Sequence, residues 1–354
     1  MHLTEILEAC RYRDTIMDEK LTGFDFSHQD LSLGDFYQCD LTNANFTGVK
    51  GKKLSFMRCN LSGAVFDSAT LINGETMECT LNGVSLKQVD AKDYTWMKSD
   101  LQKSDFSGSS IIDCVFMESN LEKSSFKKSD LTETTFMESH MQGVDISQCN
   151  LFKTVFFEMD MTLLRLSDAT FYNTYFVESN FSGMDLRGLN FNAAQMNNCN
   201  LSNANFENAD LTQAGIIGSN INDANLNHVT APCGMFCQSK MQRVQLQGAK
   251  LKNANFQEAD LRESDFTGAN TKEAIFNKAI LSRSIMQQAN LSYALMAHAD
   301  LTEADMRNSD LTLADLHQIV AEKTNWHGAN PRKARKKDKE LINAETWTYE
   351  THIL

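Results

Sequence analysis

Three metal-ligating side chains fall within ten residues around Pro232: His228, Cys233 and Cys237. Thiolates and imidazoles are the natural ligands of zinc, and structural zinc sites pair two closely spaced ligands with two more. Here the set is one ligand short and sits beside a proline, so a locally distorted turn is the simpler reading. No metal or cofactor is expected. The other seven histidines are scattered, and none forms H-E-x-x-H. Gly48-Val49-Lys50-Gly51-Lys52-Lys53 is the nearest approach to a phosphate-binding loop and lacks its spacing. No nucleophile–base pair can be read from the sequence. The chain therefore reads as a non-enzyme, with no catalytic residue assigned.

Composition narrows the function classes further. The chain has 354 residues and a formal net charge of −13. A general nucleic-acid binder needs an excess of Lys and Arg for phosphate contacts, so direct nucleic-acid binding is not expected. Met1 is followed by HLTEILEACRYRD, without the basic and apolar regions of a secretory signal. No apolar run approaches the roughly 20 residues of a membrane span. Nine cysteines, an odd number, fit a reducing compartment. The expected location is the cytoplasm.

What would position any functional side chain is a repeat. Every fifth residue from Leu21 to Trp326 is a centre, without one insertion or deletion. Of these 62 positions 56 are Leu, Ile, Met, Phe or Trp, the exceptions being Gly51, Thr76, Ala91, Ala231, Thr271 and Ala321. A small side chain usually stands two residues earlier, as at Ala44, Cys59, Ala64, Ser99 and Ala204. A period of five suits neither a helix at 3.6 nor a strand at 2. It suits a chain that turns a corner every five residues and closes a square coil every twenty. The large centre and the small residue point inward together, since close packing in a fixed cross-section leaves no room for two large ones. Six cysteines, Cys39, Cys59, Cys79, Cys114, Cys149 and Cys199, take the small inward position and read as core. His140 and His298 fall outward.

Units such as Ala204-Asn205-Phe206-Glu207-Asn208-Ala209-Asp210-Leu211 resemble those of the pentapeptide-repeat proteins. The resemblance covers residues 21–326 and implies an all-β fold, a right-handed quadrilateral β-helix of about 15 coils. The expected organisation is an N-terminal helical cap (1–20), the β-helix (21–326), and a basic linker with an apolar tail (327–354). Leu3, Ile6, Leu7 and Cys10 at helical spacing supply the cap. Arg332 to Lys339 form the basic run; Trp347, Tyr349, Ile353 and Leu354 make the tail apolar.

One outward column departs from the polar norm. The residues just after one set of centres read Met57, Met77, Met97, Met117, Met137, Phe157 and Val177. Val115, Val155 and Tyr175 share that wall, and Glu118, Glu138, Glu158 and Glu178 line its edge. The equivalent column on another wall reads Thr22, Thr42, Ser62, Asn82 and Gln102, so the repeat does not itself demand apolar residues there. Exposed apolar strips mark interfaces, and Met suits adaptable contacts. The expected function is a protein-binding scaffold whose partner is another protein, or a second copy held through the strip or the C-terminal tail. The resemblance adds two alternatives. Some family members bind type II topoisomerases by mimicking DNA; here −13 over about 15 coils at ~4.8 Å leaves one net charge per ~6 Å, against one per ~1.7 Å in duplex DNA. Other long members are effectors or accessory proteins of bacterial contractile, type VI-like secretion systems, which would place the chain outside the cytoplasm by a non-Sec route.

Overall fold

A computed structural model of the chain describes residues 1–335 and 339–345. The tail residues Trp347, Tyr349, Ile353 and Leu354 lie outside the described residues, as do Lys336 to Asp338 of the basic run. The chain forms two compact units, one comprising Met1–Met184 with Leu189–Asn200, the other Asp185–Gly188 with the chain from Leu201 on.

Each unit is a parallel β-helix. Every described parallel pair joins residues twenty apart, from Thr15↔Asp35 to Met137↔Phe157 in the first unit and from Asp185↔Asn205 to Asp315↔Arg335 in the second. One five-residue step shows why. Leu201 N–H donates to the Asn220 carbonyl on the next coil at 2.7 Å, and Ala204 N–H turns back to the Leu201 carbonyl at 3.2 Å. Asn203, between them, takes the left-handed conformation at φ 58°, and so does the residue two after nearly every other centre. That region strains most side chains. Pairing to the coils above and below holds it, and Asn, Asp and Gly, the residues most tolerant of it, are common at this corner.

The inward pair behaves as the repeat predicts. Centres such as Leu41, Phe106, Leu201 and Phe256 are fully buried, and so are the small partners Ala44, Ala204 and Ala254. Rings stack from coil to coil. In the first unit Trp96, Phe116, Phe136, Phe156 and Phe176 form one column with centroids 4.6 to 5.2 Å apart. Phe106 and Phe126 form the opposing one, and the two columns meet edge-to-face at 5.5 to 5.7 Å. The second unit repeats this with Phe236, Phe256 and Phe276 at 5.0 Å. Stacked and edge-to-face contacts are the favourable arrangements of aromatic quadrupoles.

The open end of the first unit is covered by α1 (Leu3–Tyr12), which buries Ile6 and Cys10. Glu5 accepts a hydrogen bond from the His2 N–H at 2.7 Å at its start, and Arg13 in the left-handed conformation ends it. The ladder begins at Thr15–Met17, six residues before the first sequence centre at Leu21. At the C-terminal end of the second unit the packing loosens: Leu316, Ala321 and Trp326 are only half-buried. A 3-10 turn, Pro331–Lys333, leads to Arg335, which still pairs with Asp315. A seven-residue helix, α2 (Lys339–Glu345), follows.

The six repeat cysteines are buried, whereas Cys233 is exposed and Cys237 half-exposed. Cys39, Cys59 and Cys79 stack in one column, the N–H of each pointing to the sulfur or hydroxyl of the next coil, and the column continues into Ser99, Ser119 and Ser139. Burial pushes the Cys114 and Cys149 thiols up to about 12. Since the thiolate is the nucleophile, a thiol reagent applied to the native protein should modify Cys233 and Cys237 first. Peptide mapping checks this; early labelling of Cys114 or Cys149 would show that the inward phase is misassigned.

Candidate functional site

The candidate interface is one face of a nine-stranded parallel sheet in the first unit. Its three-residue strands are Thr15–Met17, Asp35–Tyr37, Ser55–Met57, Glu75–Met77, Thr95–Met97, Val115–Met117, Thr135–Met137, Val155–Phe157 and Tyr175–Val177. In each the middle residue is buried and the flanking two face outward. Strand alternation therefore puts Met57, Met77, Met97, Met117, Met137, Phe157 and Val177 on one outward line, and the pairing sets them side by side without a register slip. All seven are half-buried, because each side chain is flanked by its neighbours on adjacent coils. They form a continuous ridge of sulfur and hydrocarbon.

The line is longer than the sequence reading made it. Tyr37 pairs with Met57 and Met17 pairs with Tyr37, and Met17 is 53% exposed. Both stand at the same twenty-residue interval, but Met17 precedes the first centre and Tyr37 is not a methionine. Beside the line runs the second outward column, where Val115, Val155 and Tyr175 sit on the same wall. On the preceding wall Phe152 and Tyr172 stack outward at 5.6 Å, and Lys153 lies over the Phe152 ring.

Glu118, Glu138, Glu158 and Glu178 occupy successive left-handed corners, with φ between 48° and 53°. The corner column is mixed further toward the N-terminus: Arg58 pairs with Glu78 at 2.8 Å and Lys98 with Glu118 at 3.6 Å. Glu138, Glu158 and Glu178 make no ion pair among the described residues. Like charges repeating at the coil spacing repel one another, so this stretch favours a cationic neighbour. Glu138 and Glu158 also border a shallow groove with His140, Asp160 and Leu163, and Leu163 is 54% exposed.

The other sequence candidates fare differently. Cys233, Cys237 and His228 do not come together as an ion-binding group. Among the described residues the one cluster of three ligating side chains close enough for a single ion is His298, His317 and Glu345. His298, read from the sequence as an isolated outward histidine, is thus part of a constellation. His317 takes an outward slot but is buried at 2% exposure. Neither Glu345 nor the packing over His317 carries a signal in the repeat.

The Pentapeptide repeats sequence profile matches eight copies in this chain, across residues 20–49, 114–151, 165–203, 190–227, 239–277 and 279–318, more than half of its length. The chain belongs to the pentapeptide-repeat family. Solved structures that the chain matches include HetL, a pentapeptide repeat protein involved in heterocyst differentiation regulation from the cyanobacterium Nostoc sp. strain PCC 7120, at 20% identity over 80% of this chain and 91% of that one, with a TM-score of 0.25. QnrB1, a plasmid-mediated fluoroquinolone resistance protein, shares 13% identity over 76% of this chain and 92% of its own, with a TM-score of 0.25. A pentapeptide repeat protein from the Arabidopsis thaliana thylakoid lumen shares 23% identity over 28% of this chain and 71% of its own, with a TM-score of 0.26. No curated protein matches the chain. Among the described residues no helix is long and apolar enough to cross a membrane.

In this pentapeptide-repeat protein the position after the centre is structurally permissive. Thr42 and Ser62 on one wall hydrogen-bond locally to Asp40 and Asn60. The methionines of the other wall have no such local role, which separates their presence from the needs of the fold.

Proposed function

We propose that the protein is a non-enzymatic scaffold that binds another protein along the Met57–Val177 ridge. The observation that carries this reading is the unbroken outward line of seven apolar residues in register, at a position that another wall fills with Thr22, Thr42, Ser62, Asn82 and Gln102. Unbranched methionines let such a surface adapt to its partner's shape, and the two ends of the wall add Tyr37 and Tyr175, residues that favour interfaces. The fitting partner presents an apolar strip flanked by Lys or Arg, which would lie against Glu138, Glu158 and Glu178. Tyr175, at 42% exposed, would close the far end of the contact.

Replacing Met97, Met117 and Met137 together by Gln tests the reading. No inward residue changes, so circular dichroism and the thermal midpoint should stay close to those of the parent. Partner capture should fall at least tenfold. If the variant retains the same protein as the parent with equal affinity, the ridge is not the interface. Light scattering of the purified parent reads out the other occupant, a second copy of this chain, as a mass that doubles with concentration.

A further inference from the structure

The His298–His317–Glu345 cluster follows from coil stacking. His298 N–H donates to the His317 carbonyl at 2.9 Å, so the two residues are neighbours on adjacent coils of the second unit. Their imidazoles converge, with centroids 5.7 Å apart and planes at 83°. Nε2 of His298 stands 3.2 Å from one oxygen of Glu345, and Nε2 of His317 stands 3.2 Å from the other. All three ligating atoms lie within 4.8 Å of one another. Gln318, the residue after His317, donates its side-chain N–H to the same Glu345 oxygen as His317 at 2.7 Å.

We propose that His298, His317 and Glu345 bind a divalent transition-metal ion, with zinc the best-fitting species, and that the ion fastens α2 to the coils. Two imidazole nitrogens and a carboxylate are a recurrent zinc donor set. Zinc–nitrogen and zinc–oxygen bonds of ~2.0–2.1 Å at tetrahedral angles put ligand atoms about 3.3–3.4 Å apart. Each Nε2 stands near that edge from a different Glu345 oxygen, so the carboxylate would face the ion with both oxygens, and the ligating atoms, within 4.8 Å of one another, would draw together on binding. Gln318 supplies the outer contact that commonly orients a ligating carboxylate. The set provides three protein ligands, so a fourth position remains for water or for a side chain from a partner. A cation there joins residues 47 apart in sequence and holds α2 where the coil packing loosens.

The test uses the full chain, stripped with chelator and titrated with zinc against a chromophoric competitor. One equivalent should bind. Glu345→Gln and His298→Ala, which alter exposed residues, should each weaken binding at least tenfold while leaving circular dichroism unchanged. Cys233→Ser with Cys237→Ser should bind like the parent. Cobalt loaded in place of zinc should show ligand-field bands without thiolate charge transfer. Hydrogen exchange in residues 339–345 should slow on zinc addition in the parent and not in Glu345→Gln. The proposal is overturned if the parent binds no zinc, if Glu345→Gln and His298→Ala bind as tightly as the parent, or if only the cysteine variant loses the ion.

Discussion

Phe136→Ala should destabilise the first unit by about 3–5 kcal/mol, the range for removing a fully buried aromatic side chain. Phe136 is fully buried, stacks on Phe116 at 5.0 Å and Phe156 at 5.2 Å, and meets Phe126 edge-to-face at 5.7 Å. Four rings thus share one contact network, and neighbouring coils cannot close on the void without breaking their own ladder bonds. The loss should also be local, because a coil touches only the coils beside it. Hydrogen exchange should show faster opening of residues near 116–156, with protection near Phe256 unchanged. A uniform loss of protection throughout both units would contradict nearest-neighbour stability.

Tyr94→Ala should cost a similar amount, about 3–5 kcal/mol, for a reason invisible in the consensus. Tyr94 stands in the small inward position yet is fully buried. It fits because the coil before it has given up volume: the centre there is Thr76 and its small partner is Gly74. The phenol hydroxyl lies 2.9 Å from the Thr76 hydroxyl and donates to the Glu75 carbonyl at 3.1 Å, while the ring packs against Trp96 at 4.7 Å. Tyr94→Phe should lose about 1–3 kcal/mol, since it leaves the buried Thr76 hydroxyl without that partner. Gly74→Ala should also destabilise, by about 1–3 kcal/mol. Its added Cβ would run into the Leu54 carbonyl and come 2.7 Å from the Tyr94 ring. In the Tyr94→Ala background the ring clash disappears, so the two losses should not add. A double-mutant cycle by chemical denaturation measures this; strict additivity would show that Gly74 and Tyr94 do not share a space.

These two sites mark where the sequence is legible and where it is not. The period of five and the large–small inward pair could be read directly, because they are local and repeated many times. The burial of Cys39, Cys59 and Cys114 follows from that phase, as does the outward line from Met57 to Val177. Gly51 and Leu54 already break the size rule, and the structure shows a swap: Leu54 is fully buried in the small position and Gly51 leaves room for it. Such compensation links different units and has no fixed offset, so a single-unit pattern cannot reveal it. The ion-binding cluster is hidden for another reason. His298 and His317 are placed by the coil, but Glu345 arrives from α2, beyond the last repeat, where no periodicity fixes its position. The candidate zinc ligands His228, Cys233 and Cys237 were proximate in sequence and failed to converge, because successive five-residue steps carry them onto different walls.

The ridge as a binding surface is tested most directly by methionine oxidation footprinting, in which sulfoxide formation reports exposure one residue at a time. The chain alone is compared with the complex it forms with its captured partner. Met77, Met97, Met117 and Met137 should be protected together in the complex, while Met235, outward and 37% exposed in the second unit, should oxidise at an unchanged rate. Equal oxidation of Met77, Met97, Met117 and Met137 with and without the partner, or protection of Met235 in their place, would contradict the account.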